Sequence, residues 1–227
     1  MASPKLLQSL QTTLSHLNRL EILIPYRYDG VERHNGCKPE ELLESLGQFN
    51  CLTVLRIYNA LDLLTCAVTF PPNITELTLS SLKRISDEGM NGLGNLTKLK
   101  TLRLLGELNW SGDSFDLNCV GGSFPQLEVF EMENLKVGKW KLGNGAMPRL
   151  QSVIINYCEG LDDLPSELWS LSGLRKVHVT KPSEKMAVVL RNLEINNGVQ
   201  IVTEDHQQMN YFKYLTKKHV TEGVTIF

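Results

Sequence analysis

One apolar pattern recurs seven times along the chain: an apolar residue is followed three positions later by a second, and two positions after that by a third. The seven copies are Leu17/Leu20/Ile22, Leu52/Leu55/Ile57, Ile74/Leu77/Leu79, Leu99/Leu102/Leu104, Leu127/Phe130/Met132, Leu150/Val153/Ile155 and Leu174/Val177/Val179. The final step of two is typical of a β-strand, whose alternate side chains lie on opposite faces. The copies begin 35, 22, 25, 28, 23 and 24 positions apart, mostly within the 20–29 residue period of leucine-rich repeats.

Steps of three precede the strand in several copies. They connect Leu43, Leu46, Phe49 and Leu52; Met90, Leu93, Leu96 and Leu99; and Leu168, Leu171 and Leu174. Such steps suit loose turns or 3₁₀ backbone, where side chains at i and i+3 eclipse. The combined pattern predicts an α/β solenoid, a leucine-rich-repeat arc with a parallel concave sheet and an irregular convex side of loops and short helices. Because no repeat can bury its leucines alone, the core depends on stacking.

The repeats predict a main domain of about seven to eight irregular units over residues 1–202. From about residue 183 the pattern changes to a helical face of Met186, Val189, Leu190 and Leu193, followed by a strand at Val199–Val202, which would cap the array. Residues 203–227 form an extension with a short helix (Met209, Phe212 and Leu215 aligned) and a possible strand. The amino-terminal end enters a repeat with no obvious cap, although solenoids need covered ends.

Composition narrows the class of protein. Of the 227 residues, 42% are apolar and 21% charged, as in folded soluble proteins. The net charge of −2 implies no general attraction to nucleic acid or to anionic membranes, and no secretory signal is apparent. Five cysteines without metal-ligand spacing predict reduced thiols, a cytoplasmic location and no metal. Occupied glycans at the sequons of Asn73, Asn95 or Asn109 would instead support an extracellular recognition module.

Three phrases carry a family resemblance: "FPQLEVF", "GAMPRLQSVIINYC", and "CxxLxxLPxxLxxLxxL" from Cys158 to Leu174. From about Leu6 to Val202 the chain resembles the C-terminal leucine-rich repeats of plant intracellular immune receptors, of the nucleotide-binding type with an N-terminal coiled coil. The resemblance implies a plant defence domain that recognises a pathogen effector or a guarded host protein and contributes to autoinhibition. Its implied partners are these proteins and the nucleotide-binding module of the same receptor.

The chain departs from the full receptor pattern in two respects. The closest candidate for a phosphate-binding loop, residues 30–38, has one residue too many and is followed by Pro39 where a magnesium-binding hydroxyl is needed, so no cofactor is predicted. The ninth repeat positions, often Asn or Cys, are Pro25, Ala60, Leu82, Glu107, Leu135, Cys158 and Pro182, which predicts irregular turns. An alternative function is a stand-alone leucine-rich-repeat scaffold, adaptor or decoy that binds other proteins in trans.

Strand alternation predicts which side chains leave the core for the concave face. The predicted protein-binding residues are Arg56, Tyr58, Thr78, Arg103, Leu105, Glu131, Glu133, Ile154, Asn156 and His178. Stacking would place Arg56 and Arg103 beside the Thr78 strand and make Glu131 and Glu133 an acidic patch. Other outward positions include Glu21, Ser80 and Thr180. The alternative is that the charges only pair across an exposed sheet.

Two long connections, Pro25–Glu41 and Leu105–Gln126, are further candidates because long loops in compact domains are often functional. Trp110 and Phe115 are expected to pin the second connection to the edge of the array. Catalysis has little support: His178 has no paired carboxylate at catalytic spacing, and Cys158 is expected to be a buried turn thiol. We therefore expect no enzyme; a slow hydrolase abolished by Cys158→Ala or His178→Ala would be the rival.

Overall fold

The computed structural model describes residues 16–24, 43, 46–47, 49–158, 160–193, 199–204 and 224–226. Its main element is a nine-stranded parallel sheet in the order β10-β9-β8-β6-β4-β3-β2-β1-β11. The strands are β1 (Arg19–Leu23), β2 (Val54–Tyr58), β3 (Glu76–Leu82), β4 (Thr101–Gly106), β6 (Val129–Glu133), β8 (Ser152–Asn156), β9 (Lys176–Thr180), β10 (Gln200–Glu204) and β11 (Val224–Ile226). A mostly parallel sheet with few helices is compatible with the predicted α/β repeat arc.

The seven strands predicted from the apolar pattern are all present and pair in chain order. Their inward residues lie in two registered rows, Leu20–Leu55–Leu77–Leu102–Phe130–Val153–Val177 and Ile22–Ile57–Leu79–Leu104–Met132–Ile155–Val179. Every one of these side chains is buried. Burial of such a side chain is worth about 1.5–3 kcal/mol, so the two rows supply much of the favourable folding free energy.

Backbone hydrogen bonds join the repeats where each strand begins. The carbonyl of Asn18 accepts N–H bonds from Thr53 and Val54, both 2.9 Å long. The next repeats copy this arrangement, with one carbonyl accepting two N–H groups at Thr53, Thr75, Lys100, Glu128 and Gln151. Since these hydrogen bonds use only main-chain atoms, the repeats stack in register although the residue that accepts the two bonds differs from repeat to repeat.

Turns at the strand exits are more uniform than the ninth-position residues predict. Asn59, Asn134, Tyr157 and Lys181 follow β2, β6, β8 and β9, and each has a φ angle between 52° and 58°. The N–H of Tyr157 donates to Thr180 (3.1 Å), and that of Lys181 to Glu204 (2.7 Å). A shared left-handed residue, rather than a ladder of Asn side chains, therefore turns the chain out of the sheet.

The other side of the repeats carries short helices and one feature that the sequence analysis missed. Met90 and Leu93 lie in α1 (Asp87–Gly94), and Leu168 lies in a 3₁₀ helix (Ser166–Ser170), as the steps of three predict. β5 (Phe115–Cys119) and β7 (Val137–Leu142) form a separate parallel pair. The Leu105–Gln126 connection is thus partly a strand and not only a loop.

Both ends of the sheet carry an added strand. Helix α2 (Glu184–Leu193) buries Met186 and Leu190. The strand β10 follows this helix, and it ends two residues after the predicted strand at Val199–Val202. β11 pairs with the opposite edge, aligning Val224 with Leu20 and Ile226 with Ile22. The edge that lacked an obvious cap is therefore covered by a carboxyl-terminal strand. The helix predicted around Met209 lies outside the described residues, and the division at residue 202 remains a prediction.

Candidate protein-binding surface

All ten residues predicted for the concave face lie on one side of the nine-stranded sheet, which we call the open face. Six occupy one registered row: Arg56, Thr78, Arg103, Glu131, Ile154 and His178. The other four lie two residues nearer the carboxyl ends of their strands: Tyr58, Leu105, Glu133 and Asn156. All ten are half-buried, so each leaves part of its surface accessible while neighbouring strands hold it in place.

Three other outward positions are less accessible than predicted. Glu21 is 9% exposed, Ser80 4% and Thr180 7%. Glu21 is covered because Arg56 and Tyr58 on the next strand both reach over it: Arg56 Nη1 donates to Glu21 Oε1 at 2.9 Å and Tyr58 OH donates to Oε2 at 3.3 Å. Burial and the nearby Glu21 carboxylate raise the pKa of Tyr58. These three residues are therefore buried within the sheet and do not contribute to its accessible surface.

The arginines of the open face are paired. Besides the Arg56–Glu21 pair, Arg103 Nε lies 3.0 Å from Glu131 Oε2 on the adjacent strand. His178 lies near a carboxylate of the neighbouring strand: its Nε2 is 3.5 Å from Glu204 Oε1, without hydrogen-bond geometry. Pairing across strands leaves the middle of the open face close to neutral, as the alternative interpretation expected.

Glu133 does not behave as half of a simple acidic patch. Burial, and next the charge of Glu131, raise its pKa from 4.5 to about 7, although a hydrogen bond with Asn156 lowers it. Asn134 Nδ2 also donates to Glu133 Oε1 at 3.3 Å. At neutral pH this carboxyl is therefore protonated in about half of the molecules.

This raised pKa predicts a pH-dependent effect of the substitution Glu133→Gln. In the folded protein the carboxyl binds a proton more tightly than in the unfolded chain, so its ionisation lowers stability as pH rises from about 4.5 to 7, and the full cost remains above 7. We expect Glu133→Gln to raise the free energy of unfolding by about 1–2 kcal/mol at pH 8, after discounting for solvent screening, and to change it little at pH 4.5.

Urea unfolding of both proteins between pH 4.5 and 8 measures this difference. Glu167→Gln, on the exposed 3₁₀ helix, is the matched control and should show no such trend. An equal effect of Glu133→Gln at all pH values would mean that the carboxyl is not desolvated in the folded state.

The cysteine predicted to be a turn thiol is buried. Cys158 is mostly enclosed, and its Sγ lies 3.5 Å from the Asn156 carbonyl oxygen. Burial raises the pKa of Cys158, and likewise of Cys119, to about 12. Because the thiolate is the reactive form, these groups are poor nucleophiles at neutral pH. Within the described part of the chain no group of His, Cys, Asp and Glu could hold a metal ion.

The second long connection packs against the protein at both aromatic residues. Phe115 is partly buried against the core and begins β5. The ring of Trp110 has Lys83 Nζ 5.2 Å from its centroid, and Gly112 lies so close to the ring that a Cβ atom there would meet it at 2.3 Å. The first connection, Pro25–Glu41, lies outside the described residues.

Trp110 also forms one wall of a groove that the sequence analysis did not predict. The groove has a volume of about 590 Å³ and lies where β4, β6, β8 and β9 end. Its lining comes from four successive connections: Glu107–Ser111, Asn134–Lys136, Tyr157 with Gly160, and Lys181–Ser183. These positions are far apart in sequence, and the sequence drew attention only to Trp110 and to the ninth repeat positions Glu107, Leu135 and Pro182 among them.

The fold and these surfaces define a parallel-sheet protein with two candidate recognition surfaces, the open face and the groove at its carboxyl edge. No protein-family model matches the chain. A late blight resistance protein homolog of Solanum demissum is 26% identical over 151 residues, which cover 66% of this chain and 13% of the relative. A second homolog from that species is 25% identical over 185 residues, covering 78% and 14%.

A third relative, a late blight resistance protein of Solanum demissum, is 26% identical over 100 residues, covering 44% of this chain and 7% of its own length. The chain thus spans at most about one seventh of the length of these relatives. This distant homology to plant resistance proteins supports a role in disease resistance. Among the described residues, no helix is both long enough and apolar enough to cross a bilayer.

Proposed function

We propose that the chain is the protein-recognition leucine-rich-repeat domain of a cytoplasmic plant disease-resistance receptor, of the coiled-coil nucleotide-binding type. In this role it recognises a pathogen effector or a guarded host protein and has no catalytic activity or cofactor of its own. The observation that carries the proposal is the open face, a registered array of half-buried polar, aromatic and apolar side chains on parallel strands. The distant similarity to plant resistance proteins supports a defence role for the chain that carries this surface.

The dimensions of the open face suit a protein partner. Eight strands, from β10 to β1, follow one another in the sheet, and a spacing of about 4.8 Å between strands gives a surface about 34 Å wide. Extended surfaces of this kind are the binding surfaces of repeat proteins. Tyr58, Leu105 and Ile154 add aromatic and apolar area between the ion pairs, and such residues contribute strongly to interfaces.

The same surface provides a means of autoinhibition. In the proposed receptor, the nucleotide-binding module contacts the repeats in the resting state, and an effector or guarded protein competes with it. Mutual exclusion would follow because both partners use one rigid face, whose side chains are fixed by ion pairs between strands. A stand-alone adaptor or decoy would use the face in trans, and the size of the native polypeptide, about 25.6 kDa or several times larger, separates these alternatives.

A test of the open face must spare its ion pairs. Reversing Arg56 would leave the buried Glu21 carboxylate without its partner, which costs stability as well as binding. Thr78→Glu with Ile154→Lys avoids this problem. The new glutamate lies between Arg56 and Arg103, and the new lysine lies beside Glu131, so both charges are compatible with the sheet.

We expect this double variant to reduce the affinity for the recognised protein at least tenfold, while the melting temperature changes by less than about 3 °C. Proteins that copurify with the chain from infected and uninfected leaves are identified by mass spectrometry, and the dissociation constant of each is then measured. The control is Thr65→Glu with Val120→Lys, which makes the same changes at exposed positions away from the open face. Unchanged affinities of the open-face variant would contradict the proposal.

A further inference from the structure

The groove at the carboxyl edge of the sheet differs from the open face in its charge. Lys136 and Lys181 line it, and the ammonium group of neither has an ion-pair or hydrogen-bond partner among the residues that the structure describes. Arg56 and Arg103, by contrast, are both paired on the open face. Among the lining residues that the structure describes, Glu107 is the one carboxylate. The groove therefore offers an incoming anion two lysines that no neighbouring carboxylate in the described part of the chain neutralises.

Two aromatic residues, Trp110 and Tyr157, line the groove. The Trp110 ring lies close to both Lys83 and Gly112, and its indole N–H is buried without a hydrogen-bond partner. Tyr157 contributes a second ring from the connection after β8. Trp and Tyr supply large contact areas with few rotatable bonds, and they are the residue types that most often dominate protein interfaces. A groove lined by two lysines and two aromatic residues suits an extended segment that combines carboxylates with apolar side chains.

Two residues that line the groove, Tyr157 and Lys181, adopt an unfavourable backbone conformation. Tyr157 and Lys181 have φ angles of 53° and 55°, a left-handed conformation that Asn adopts more readily than most residues. The equivalent turns after β2 and β6 use Asn59 and Asn134. Tyr and Lys thus occupy turn positions where Asn would fit the fold better, which indicates that their side chains serve a purpose other than stability.

We propose that this groove binds an acidic, extended segment of a partner protein, with a carboxylate between Lys136 and Lys181 and apolar side chains against Trp110 and Tyr157. The proposal rests on the function proposed above only in treating the chain as a protein-recognition domain, and it uses a different surface. A nucleic acid is the less suitable occupant because the chain carries a net charge of −2 and the groove offers two lysines rather than a continuous basic track.

The test uses the intact 227-residue chain, labelled with ¹⁵N, and a twelve-residue peptide of Glu, Asp, Leu and Tyr as the probe. The indole signal of Trp110 is the reporter, because an unpaired N–H shifts when a partner approaches. We expect saturable shifts of this signal and of the Lys181 amide, with an affinity that falls at least fivefold between 0.05 and 0.3 M salt. A peptide in which Lys replaces each acidic residue should produce no saturable shift.

The decisive variant is Lys136→Ser with Lys181→Asn. Because Asn tolerates the left-handed turn, this protein should remain folded, with a melting temperature equal to or about 1–3 °C above the original, while its affinity for the acidic peptide falls at least tenfold. The matched control, Lys98→Ser with Lys100→Ser, removes the same charge from exposed positions at the amino ends of the strands and should bind normally.

The proposal would be overturned if millimolar acidic peptide caused no shift, or if the groove variant and the original chain bound the peptide with equal affinity. Binding of a twelve-residue oligothymidylate more tightly than the acidic peptide would also overturn it. Peptide-induced shifts confined to Thr78, Ile154 and their neighbours would also reject the groove, but they would leave the open-face function intact. Conversely, normal peptide binding by the Thr78→Glu/Ile154→Lys variant would support the groove independently of the open-face proposal.

Discussion

Replacing Leu102 by aspartate is expected to unfold the protein. Leu102 is 0% exposed, lies in β4, the central strand of the nine-stranded sheet, and is in register with Leu77 and Phe130. The substitution removes apolar burial and places a carboxylate among apolar side chains, where it has no cation to pair with. We expect a loss of at least about 4 kcal/mol, which is comparable with the whole free energy of folding of many domains.

Circular dichroism, solubility and thermal unfolding measure this effect. The control is Thr101→Asp, which introduces the same side chain one position earlier, on the half-exposed open face, and should leave a folded protein. A soluble Leu102→Asp protein with an unchanged spectrum and melting temperature would show that the registered apolar rows are not the core.

Replacing Gly106 by alanine is expected to destabilise the protein by about 3 kcal/mol. Gly106 ends β4, and a Cβ atom there would lie 2.1 Å from the backbone oxygen of Asn134. Asn134 belongs to the turn after β6, whose left-handed residue and bond to Asn156 fix its position. Because the clash involves backbone rather than a flexible side chain, one of two adjacent repeats must move, and such overpacking typically costs 1–3 kcal/mol or more.

Chemical unfolding compares this variant with Gly138→Ala. Gly138 lies in β7, and its nearest contact for a new Cβ atom is the Ser114 side chain at 3.3 Å, so it can adjust. Since alanine restricts the unfolded chain more than glycine does, Gly138→Ala should be neutral or slightly stabilising. Equal stability of both variants would contradict the close approach between Gly106 at the end of β4 and Asn134 after β6.

The strands of the sheet were predictable because their signal is local. An inward residue such as Leu102 must be apolar in every repeat, whatever its neighbours, and the step of two between Leu102 and Leu104 appears in the sequence itself. The steps of three likewise indicated the short helices around Met90 and Leu168. The same alternation was enough to place all ten candidate residues on the open face.

Other features depend on pairs that the sequence does not connect. β5 and β7 are short, and they become strands only because the 17 residues between them bring them side by side as a parallel pair. The pairing of Arg56 with Glu21 spans 35 positions, and that of Arg103 with Glu131 spans 28. Register between repeats decides which charges meet, so an arginine that looked available in the sequence proved to be neutralised.

The sequence by itself determined the repeat, its strands, the buried side of each strand and the residues of the open face, because all of these follow from the spacing of apolar residues within one unit. Only the tertiary structure decided which charges are paired, how β11 covers the edge at β1, and that Trp110, Tyr157, Lys136 and Lys181 line one groove. These features arise between units. Their physical basis is the stacking of successive turns, which brings distant residues to neighbouring positions at the same edge of the sheet.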